Sequence, residues 1–433
     1  MRNPYIVGSY VTGSNHYGRQ RLIDHLLHSA DSAIWVVGNR RMGKTSLLRQ
    51  IELLTKQGDT PYVPVFWDIQ GCVNGEDLAR ELGYALEDAG NPALLQALSE
   101  LRRDEYDAYD LIRIARRAAL DHGRVLLLLI DEAEALISVA REDQQAIQRL
   151  RKGLLLGNGL RVIMTGTKAL TEINDLCADW LTSPFLFGFG LRNLWELDWA
   201  ASEALIRQTQ SPNPVQVEPE LVEFICEQTN RHPYLMQVLC QRLWQEDNSL
   251  RKPTEADLMV DEMLASFCRI DFHHLAPTER QILLTVSERG LIPESEVAAV
   301  IGKPQATVDA FIYSLIKLGY LRRVYGQLAV GNQFLASWLQ TNLAELRAQQ
   351  DSRITDESTQ ELARRGQEQE RAYIEEQLEI QQQNLMELER QRSQFGLRVP
   401  LDLVNEINLT RRQIERLYQE LEALNGGAVS REG

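Results

Sequence analysis

The sequence predicts an α/β fold in which a parallel β-sheet is covered by helices on both faces. Over roughly the first 200 residues, short apolar runs alternate with amphipathic helical stretches. This alternation is typical of parallel strands joined by crossover helices. A helix-rich stretch follows, and the composition changes after about residue 345. The chain of 433 residues is therefore expected to contain several domains.

Five strands are predicted from the apolar runs. They are IWVVG (Ile34–Gly38), YVPVFWDI (Tyr62–Ile69), VLLLLIDE (Val125–Glu132), LRVIMTG (Leu160–Gly166) and NLWELDW (Asn193–Trp199). Helices predicted between them include Thr45–Lys56, Glu76–Asp88 and Gln144–Gly153, where apolar residues recur at helical spacing. Together these elements predict a core domain over residues 1–200.

The middle of the chain is predicted to form two smaller domains. Residues 201–265 have helical spacing throughout and are expected to form a helical lid. In residues 266–345, helices beginning at Pro277, Pro293 and Gln305 precede a strand, a turn and a second strand. Three helices followed by a hairpin are typical of a winged-helix domain, a relative of the helix-turn-helix.

Residues 346–433 are predicted to form a helical hairpin or a coiled coil. Two stretches with heptad spacing are separated by Gly396 and Pro400, which interrupt a helix. The seam positions are Ile374, Leu378, Leu385, Leu388 and Phe395, then Leu403, Ile407, Ile414, Leu417, Leu421 and Leu424. Solvated single helices are the alternative. Self-association through this region would make the protein a homo-oligomer.

Composition and charge argue against several functions and leave a local basic patch possible. The net charge of −15 disfavours binding of nucleic acid or an acidic membrane by the whole surface. Five scattered cysteines without metal-ligand spacing are typical of reduced thiols in a cytoplasmic protein. The N-terminus has no apolar core of a signal peptide, and the apolar run Val125–Ile130 is too short to cross a membrane.

The segment Gly38–Thr45 has the phosphate-binding pattern GxxxxGK[ST] between a predicted strand and a predicted helix. Gly38 and Gly43 let the backbone wrap around phosphate oxygens, and the helix adds its positive N-terminal end. Lys44 is expected to reach the β- and γ-phosphates of ATP or ADP, and Thr45 to ligate Mg²⁺. The pattern predicts an α/β P-loop NTPase core. The neighbouring candidate ligand residues are Arg41, Met42 and Ser46, although Arg40 and Arg41 are alternatively solvated or paired with acids.

The strand Val125–Glu132 supplies the other half of the predicted site, because it ends in two acids. Asp131 is expected to hold Mg²⁺ through water, and Glu132 to polarise the water that attacks the γ-phosphate. The alternative for this pair is an acid that caps the next helix. Glu134 is interpreted as a solvated helix residue.

Two further residues are candidates for contact with the γ-phosphate. Thr165 follows the strand Leu160–Met164 and is expected to sense the phosphate or orient water, with a plain turn as the alternative. Arg192 precedes the last predicted strand and is a candidate catalytic arginine that reaches the γ-phosphate of a neighbouring subunit. A surface or packing role is its alternative.

Several segments in this order resemble the AAA-like signalling ATPases, the broad STAND group and its archaeal-type and origin-recognition relatives. They are HYGRQRLIDHLL (His16–Leu27), GNRRMGKTSLL, LLLLIDEAEAL, VIMTGT and TNRHPYLMQVLC (Thr229–Cys240). The resemblance covers about residues 1–340. It implies an Mg²⁺-dependent ATPase with slow or regulated turnover.

The resemblance also implies ligand residues outside the P-loop. The segment Tyr17, Gly18 and Arg19 is expected to lie against the nucleotide, as in the family. His232 and Pro233 in the lid are expected to contact adenine, although a helix N-terminus alone would also explain a proline there.

Three functions are compatible with these features. The first is an ATP-dependent switch that controls oligomerisation or recruits a protein partner through the winged helix or the C-terminal helices, as in prokaryotic signalling or defence. The second is a DNA-binding ATPase of the origin-recognition or transposition-regulator type. It is less favoured because Gln305–Gly319 carries Asp309 and a single basic residue, Lys317. The third is a scaffold that binds nucleotide for stability.

Overall fold

A computed structural model describes residues 2–57, 60–99, 106–177 and 184–355, together with isolated helical positions at 378, 385, 407, 410, 411, 414 and 418. Contacts divide the chain into two compact units. The first comprises Met1–Leu275, Ile316–Arg322 and Val330–Trp338, and the second comprises Ala276–Leu315, Arg323–Ala329 and Leu339–Gly433. The domain boundaries expected from the sequence remain predictions.

The first unit contains a parallel sheet of five strands. They are β1 (Ala33–Val37), β2 (Tyr62–Asp68), β3 (Val125–Asp131), β4 (Leu160–Gly166) and β5 (Gly190–Asn193). Their order across the sheet is β2-β3-β4-β1-β5. Parallel pairing places the carboxyl ends of β1, β3 and β4 at one edge, with β4 between the other two. That edge is where ligands bind in open α/β sheets.

Helices of the first unit alternate with the strands and then follow them. The first eight are α1 (Gln20–His28), α2 (Lys44–Gln57), α3 (Gly75–Asp88), α4 (Pro92–Ser99), α5 (Ala108–Asp121), α6 (Ala135–Glu142), α7 (Gln144–Leu154) and α8 (Glu172–Leu176). After β5 come α9 (Trp199–Arg207), α10 (Pro219–Thr229), α11 (Pro233–Leu243) and α12 (Glu262–His274). Short 3-10 helices also occur, including Lys168–Thr171 directly after β4.

The two faces of the sheet bury different side chains, as the alternation of a strand requires. On one face, Ile34 and Val36 of β1 belong to a cluster that includes residues of α1 and α2. On the other face, Trp35 and Val37 belong to a larger cluster that includes residues of α3 and of α5 to α8. Helices therefore cover both faces, which confirms the predicted fold of the core.

The last strand was predicted at the wrong position. β5 covers Gly190–Asn193 and not Asn193–Trp199, and the next helix, α9, already begins at Trp199. Pairing with β1 ends at Val37 and Asn193, followed by one more bond from Leu194 N–H to the Val37 carbonyl at 2.7 Å. Because β1 gives way to the phosphate loop after Val37, residues beyond Leu194 have no strand to continue pairing with. The apolar run NLWELDW is thus a connection.

The second unit contains the helices that were predicted before the hairpin. They are α13 (Pro277–Arg289), α14 (Glu294–Ile301) and α15 (Gln305–Lys317), the last of which ends in the first unit. Strands β6 (Leu321–Val324) and β7 (Gln327–Val330) pair with each other, and α16 (Gln333–Thr355) follows. These elements agree with the predicted ones, and their designation as a winged helix stays a prediction.

The predicted heptad region lies outside the described residues except for isolated positions, among which Leu378 and Ile407 are buried. Among the described residues, no helix is both long enough and apolar enough to span a membrane. The five cysteines are buried, and none of them forms a disulfide. Burial raises the pKa of the Cys72 thiol to about 11, so it is not a reactive thiolate.

Candidate nucleotide-binding site

The loop from Gly38 to Gly43 joins β1 to α2 at the carboxyl edge of the sheet. Gly43 has φ +95°, a left-handed conformation that favours glycine. Lys44, the first residue of α2, is buried and donates from Nζ to the carbonyls of Gly38 at 3.0 Å and Asn39 at 3.1 Å. The ammonium therefore lies over the loop. The first N–H groups of α2 have no partner within the helix and are available to an anion.

The other residues of the loop differ in what they contact. The Met42 side chain is buried in the cluster beneath the loop. Arg41 has φ +60°, and its guanidinium lies 5.2 Å from the centre of the Tyr234 ring, which belongs to α11. The Ser46 hydroxyl accepts a hydrogen bond from Val11 N–H at 3.1 Å. The loop is thus bounded by α11 on one side and by the N-terminal segment on the other.

Strand β3 ends in Asp131, which is buried, and Asp131 Oδ1 accepts a hydrogen bond of 2.5 Å from the Thr165 hydroxyl of β4. Thr165 itself is fully buried. Its hydroxyl is bonded to Asp131, and the side chain does not line the cleft. Thr167, two residues later, lines the cleft instead. A direct ligand role for Thr165 is therefore less suited to this geometry than an indirect role through Asp131.

Glu132 is half-buried, and its backbone has φ +55°, which is uncommon for a residue other than glycine. Burial raises the pKa of its carboxyl, and the neighbouring Glu134 raises it further, while Lys44 opposes the shift. A raised pKa improves a carboxylate as an acceptor of a proton from water. The position and the electrostatics of Glu132 both suit a general base.

The interpretation of Glu134 as a solvated helix residue is wrong. Its side chain turns towards β4, and Oε1 accepts a hydrogen bond from Thr167 N–H at 2.6 Å. Its other oxygen, Oε2, is buried without a hydrogen-bond partner in the described part of the chain. The reason is topological: β3 and β4 are neighbours, so the residues after β3 meet the turn after β4.

The segment before α1 reaches the same cleft. Tyr17 is buried, and its hydroxyl accepts a hydrogen bond from Gln210 N–H at 3.4 Å. Gly18 has φ +73°, and a Cβ there would lie 2.6 Å from the Ala201 Cβ, so a side chain has no room. Arg19 donates to the carbonyl oxygens of Trp195 at 2.5 Å and Glu196 at 3.2 Å, and burial lowers its pKa to about 10.

His232 and Pro233 begin α11, as the helix-start alternative predicted. Pro233 lines the cleft, and the His232 ring contacts the Phe267 ring edge-on at 6.0 Å between centroids. Burial lowers the pKa of His232 to about 4, and Arg19 lowers it further, so the imidazole is neutral at neutral pH. Its Nδ1 is buried without a partner among the described residues.

A single cleft of about 1240 Å³ brings these parts of the first unit together. The predicted site residues that line it are Tyr17, Arg19, Arg41, Met42, Gly43, Lys44, Thr45, Ser46, Glu132 and Pro233. Gly18, Gly38, Asp131, Thr165, Arg192 and His232 lie outside that lining. The cleft is large enough for a nucleoside triphosphate.

Arg192 lies on β5 with its side chain directed away from the phosphate loop of the same chain. Its Nε donates to His25 Nε2 at 2.6 Å, and Nη2 is 3.3 Å from Asp31 Oδ2. Asp31 precedes β1, at the edge of the sheet opposite the loop. The side chain is 35% exposed and is held by His25 and Asp31, and its role at the nucleotide of a neighbouring chain stays a prediction.

Sequence reasoning missed three residues that the fold brings to the site. Asp271 on α12 is 6% exposed, and burial raises the pKa of its carboxyl to about 7, although Arg40, Lys44 and a hydrogen bond with Tyr320 act against the shift. Asn39 donates from Nδ2 to the Leu318 carbonyl at 2.5 Å.

The third missed residue is Gln50, whose Oε1 accepts a hydrogen bond from Gly13 N–H at 2.7 Å. In each of the three cases the partner is remote in sequence or belongs to a segment without a motif. No local pattern could therefore have revealed these residues.

The donor set fits a nucleotide with Mg²⁺. A buried ammonium, the free N–H groups of a helix and two half-buried hydroxyls face the cleft, and a buried carboxylate lies behind it. Mg²⁺ is bound in such sites by one or two protein oxygens together with phosphate oxygens. No group of three or more His, Cys, Asp or Glu that could hold a metal alone occurs in the described residues. The fold and this site define a P-loop nucleotide-binding domain.

Comparison with known proteins agrees with that class. Residues 25–173, from α1 to α8, match the family model described as an AAA domain. This segment, which contains β1 to β4 and the phosphate loop, is therefore similar to AAA domains. No curated protein sequence is significantly similar to the chain.

Solved structures extend the likeness beyond that segment. The Walker-type ATPase paby2304 of Pyrococcus abyssi is 16% identical with a TM-score of 0.55, and the match covers 78% of this chain and 99% of that one. The Orc2 protein of Aeropyrum pernix, solved as ADPNP–ADP complexes, is 11% identical with a TM-score of 0.48, covering 78% and 95%. The Orc1 protein of the same organism, in complex with DNA, is 15% identical with a TM-score of 0.36, covering 76% and 93%. Only the first of these similarities is close enough to support the fold.

Proposed function

We propose that this chain is an Mg²⁺-dependent ATPase of the STAND type, a molecular switch that controls oligomerisation or the recruitment of a protein partner. The setting is prokaryotic signalling or defence. The switch is formed by the cleft of the first unit, and its output is a change in assembly. Turnover is slow or regulated, because a switch must persist in its ATP state long enough to act.

One observation carries this proposal: the phosphate loop itself contacts a segment that follows α15, which would be the recognition helix of the predicted winged helix. Asn39, inside the loop, donates to the carbonyl of Leu318 at 2.5 Å. Tyr320 of the same segment bonds to Asp271, whose other electrostatic neighbours are Arg40 and Lys44 of the loop. A phosphate that rearranges the loop would therefore act directly on residues Ile316–Arg322. A site used only for stability has no need of such a connection.

The residues of the cleft divide the chemistry among them. Lys44 binds the β- and γ-phosphates, and Thr45 and Asp131 hold Mg²⁺, which neutralises charge on the phosphate oxygens. Thr165 keeps the Asp131 carboxylate oriented through its 2.5 Å hydrogen bond. Glu132 orients the attacking water and accepts its proton, a role that the raised pKa of its carboxyl supports.

The base of the nucleotide is assigned to the part of the cleft that Tyr17 and Pro233 line. Arg19 anchors the Tyr17 segment to the connection after β5 through the carbonyl oxygens of Trp195 and Glu196. His232 supports this part of the cleft from behind Pro233, as a neutral imidazole. Adenine fits there because the surroundings are largely apolar.

Arg192 is assigned to the γ-phosphate of a neighbouring subunit in the homo-oligomer. Its contacts with His25 and Asp31 hold the guanidinium at the edge of the sheet, partly exposed. The protein partner is assigned to the predicted winged helix or the C-terminal helices.

The test is the mass distribution of the purified chain and of Glu132→Gln, each with ADP and with ATP and Mg²⁺. Glu132→Gln should bind ATP, hydrolyse it slowly and shift to a discrete larger species with ATP alone. Lys44→Ala is the control: it should bind neither nucleotide and stay at one mass. One mass for every protein and nucleotide would contradict the assembly switch, whereas ATP binding without turnover in the wild type would support the scaffold.

The DNA-binding alternative has weaker support from the described residues. Lys317 lies 4.3 Å from the centre of the Trp195 ring, and Arg322 donates to the Glu227 carbonyl at 2.9 Å. Arg323 forms an ion pair of 2.6 Å with Glu294. The basic side chains of the predicted recognition helix and wing are thus already engaged. Salt-sensitive binding to duplex DNA would nevertheless establish this alternative.

A further inference from the structure

Glu134 is an acid of the cleft to which no role has yet been assigned. It follows the candidate base Glu132 by two residues and lines the same cleft, together with Thr167. Its Oε1 accepts a hydrogen bond of 2.6 Å from Thr167 N–H, the first backbone donor after β4. A carboxylate of the loop after β3 thus binds the backbone of the turn after β4.

Two further hydrogen bonds on either side of Glu132 also join the ends of the two strands. Asp131 Oδ1 accepts from the Thr165 hydroxyl at 2.5 Å, and Ala133 N–H donates to the Thr165 carbonyl at 3.0 Å. One of these bonds is made by Asp131, directly before Glu132, and one by Ala133, directly after it. The bond of Glu134 is the third. We name the three bonds the strand-end clamp.

Glu132 needs such support because its backbone is strained. A left-handed conformation, here φ +55°, is unfavourable for a residue other than glycine. It persists only where surrounding contacts fix it. Without the Glu134 bond, the third bond of the clamp is lost and both the loop and the turn gain freedom.

The second oxygen of Glu134 indicates that the carboxylate does not act on the nucleotide itself. Oε2 is buried without a hydrogen-bond partner in the described residues, and so is the indole Nε1 of Trp35. A Cβ built on Gly166 would lie 3.3 Å from Oε2 and 3.4 Å from that Nε1. Oε2 therefore faces Gly166 and the indole, in the floor of the site, while Oε1 is used by Thr167.

We propose that Glu134 is a positioning residue: by accepting the Thr167 N–H, it fixes the turn after β4 and holds the Glu132 backbone in its left-handed conformation at the reacting end of the cleft. This inference rests on the proposed function, because it concerns the water that Glu132 orients. It assigns to Glu134 the acceptance of one hydrogen bond and no proton transfer.

The test compares Glu134→Ala with Glu134→Gln, because the amide oxygen of glutamine can still accept the Thr167 N–H. Glu134→Ala should lower kcat about 10- to 100-fold, the loss expected when a reacting group is misplaced by about 1 Å. Its Kd for ATP with Mg²⁺ should stay within about threefold of the wild type, since the phosphate loop is unchanged. Glu134→Gln should keep kcat within about fivefold of the wild type.

A second variant removes the donor and keeps the carboxylate. Thr167→Pro eliminates the N–H group, and Thr167 has φ −92°, close to the range that proline adopts. It should lose as much kcat as Glu134→Ala, and the double variant should lose no more than either alone. Glu142→Ala, an exposed acid at the end of α6, is the matched control and should be unaffected.

Hydrogen exchange supplies a readout independent of turnover. The Thr167 amide should be protected in the wild type and in Glu134→Gln and should exchange rapidly in Glu134→Ala. Equal losses of kcat in the alanine and glutamine variants would overturn the positioning role, because the charge would then be required. An unchanged kcat in Glu134→Ala would overturn it as well. Absence of ATP hydrolysis by the wild type would instead refute the proposed function, and the inference with it.

Discussion

Asp271 shows, at the scale of a single residue, how the fold changes the chemistry of a side chain. It lies on α12 among buried groups, and burial raises the pKa of its carboxyl to about 7. Arg40, Lys44 and Tyr320 limit that rise. The folded protein therefore binds a proton at this site that the unfolded chain, with an Asp pKa near 3.9, releases. The proton links the stability of the first unit to pH.

We predict that replacing Asp271 by asparagine changes the pH dependence of stability. Folding takes up a proton between about pH 4 and pH 7, so the contribution of Asp271 to the free energy of unfolding falls as pH rises through that window. The wild type should lose stability relative to Asp271→Asn between about pH 4 and pH 7. Urea unfolding of both proteins at several pH values measures the difference.

The control for this experiment is Glu262→Gln on the exposed surface of the same helix. It should shift stability equally at each pH or leave it unchanged. A constant difference between the wild type and Asp271→Asn would mean that the carboxylate is already ionised across the window, and the prediction would be wrong.

Residues with a local motif could be predicted, and residues defined by remote partners could not. Lys44 and Asp131 follow from short patterns at the ends of strands, because the chemistry of the site needs those side chains at that spacing. Glu134 was misinterpreted, because its partner Thr167 is 33 residues away in sequence. Its hydrogen bond depends on the order of the strands, which the pattern of apolar runs does not determine.

At the scale of elements, α2 supports the cleft on two sides. Its N-terminus faces the phosphate loop, and its polar side chains bind the N-terminal segment. Ser46 accepts from Val11 N–H and Gln50 accepts from Gly13 N–H. Ser9 and Tyr10, which precede Val11 in the chain, line the cleft. This helix thus sets the distance between the phosphate loop and the N-terminal segment, which forms one wall of the cleft.

We expect Gln50→Leu to weaken nucleotide binding without slowing the chemical step. Loss of one hydrogen bond of this kind corresponds to about 0.5–1.5 kcal/mol, or roughly a 2- to 13-fold increase in Kd. ADP and ATP should be affected equally and kcat should not change, because the proposed mechanism assigns the γ-phosphate and the attacking water to other residues than Ser9 and Tyr10. Titration calorimetry and a turnover assay measure the two quantities.

The matched control is Gln57→Leu, which changes an exposed glutamine at the other end of α2. Both Kd values should equal those of the wild type. A selective loss of ATP affinity in Gln50→Leu would show that Gln50 acts on the γ-phosphate and would contradict the predicted equal effect on ADP and ATP.

The elements themselves were predicted well where apolar patterns were continuous. The helices α2, α3 and α7 begin and end within one residue of their predicted bounds. The error at β5 has a physical origin, because an apolar run indicates burial and not hydrogen bonding. Leu194 and Leu197 are buried, but Leu194 packs against Gly38 and Leu197 belongs to a cluster with residues of α9, α10 and α11.

At the scale of the whole molecule, the two units are not successive pieces of the chain. Ile316–Arg322 and Val330–Trp338 belong to the first unit although they follow Ala276–Leu315 of the second. A cut after Leu275 would therefore remove part of the first unit. A cut after Thr355 leaves the first unit whole, since that unit ends at Trp338, and removes only the part of the second unit that follows α16.

We predict that a chain ending at Thr355 folds and binds nucleotide but assembles to a lower order than the full chain. The predicted heptad seam lies beyond that residue, and the P-loop, the acids of β3 and the lid residues all precede it. Light scattering and nucleotide titration of the two proteins test the division of labour. Loss of nucleotide binding in a folded, truncated protein would refute it.

The left-handed backbone of Glu132 has an evolutionary consequence under the proposed mechanism. At φ +55° the backbone favours glycine or asparagine, whereas hydrolysis requires a carboxylate at the same position. Selection for thermal stability alone would thus replace Glu132, and selection for turnover would retain it, a conflict common at functional sites. A homologue with glycine at this position would bind the nucleotide but would no longer end its ATP-bound state by hydrolysis.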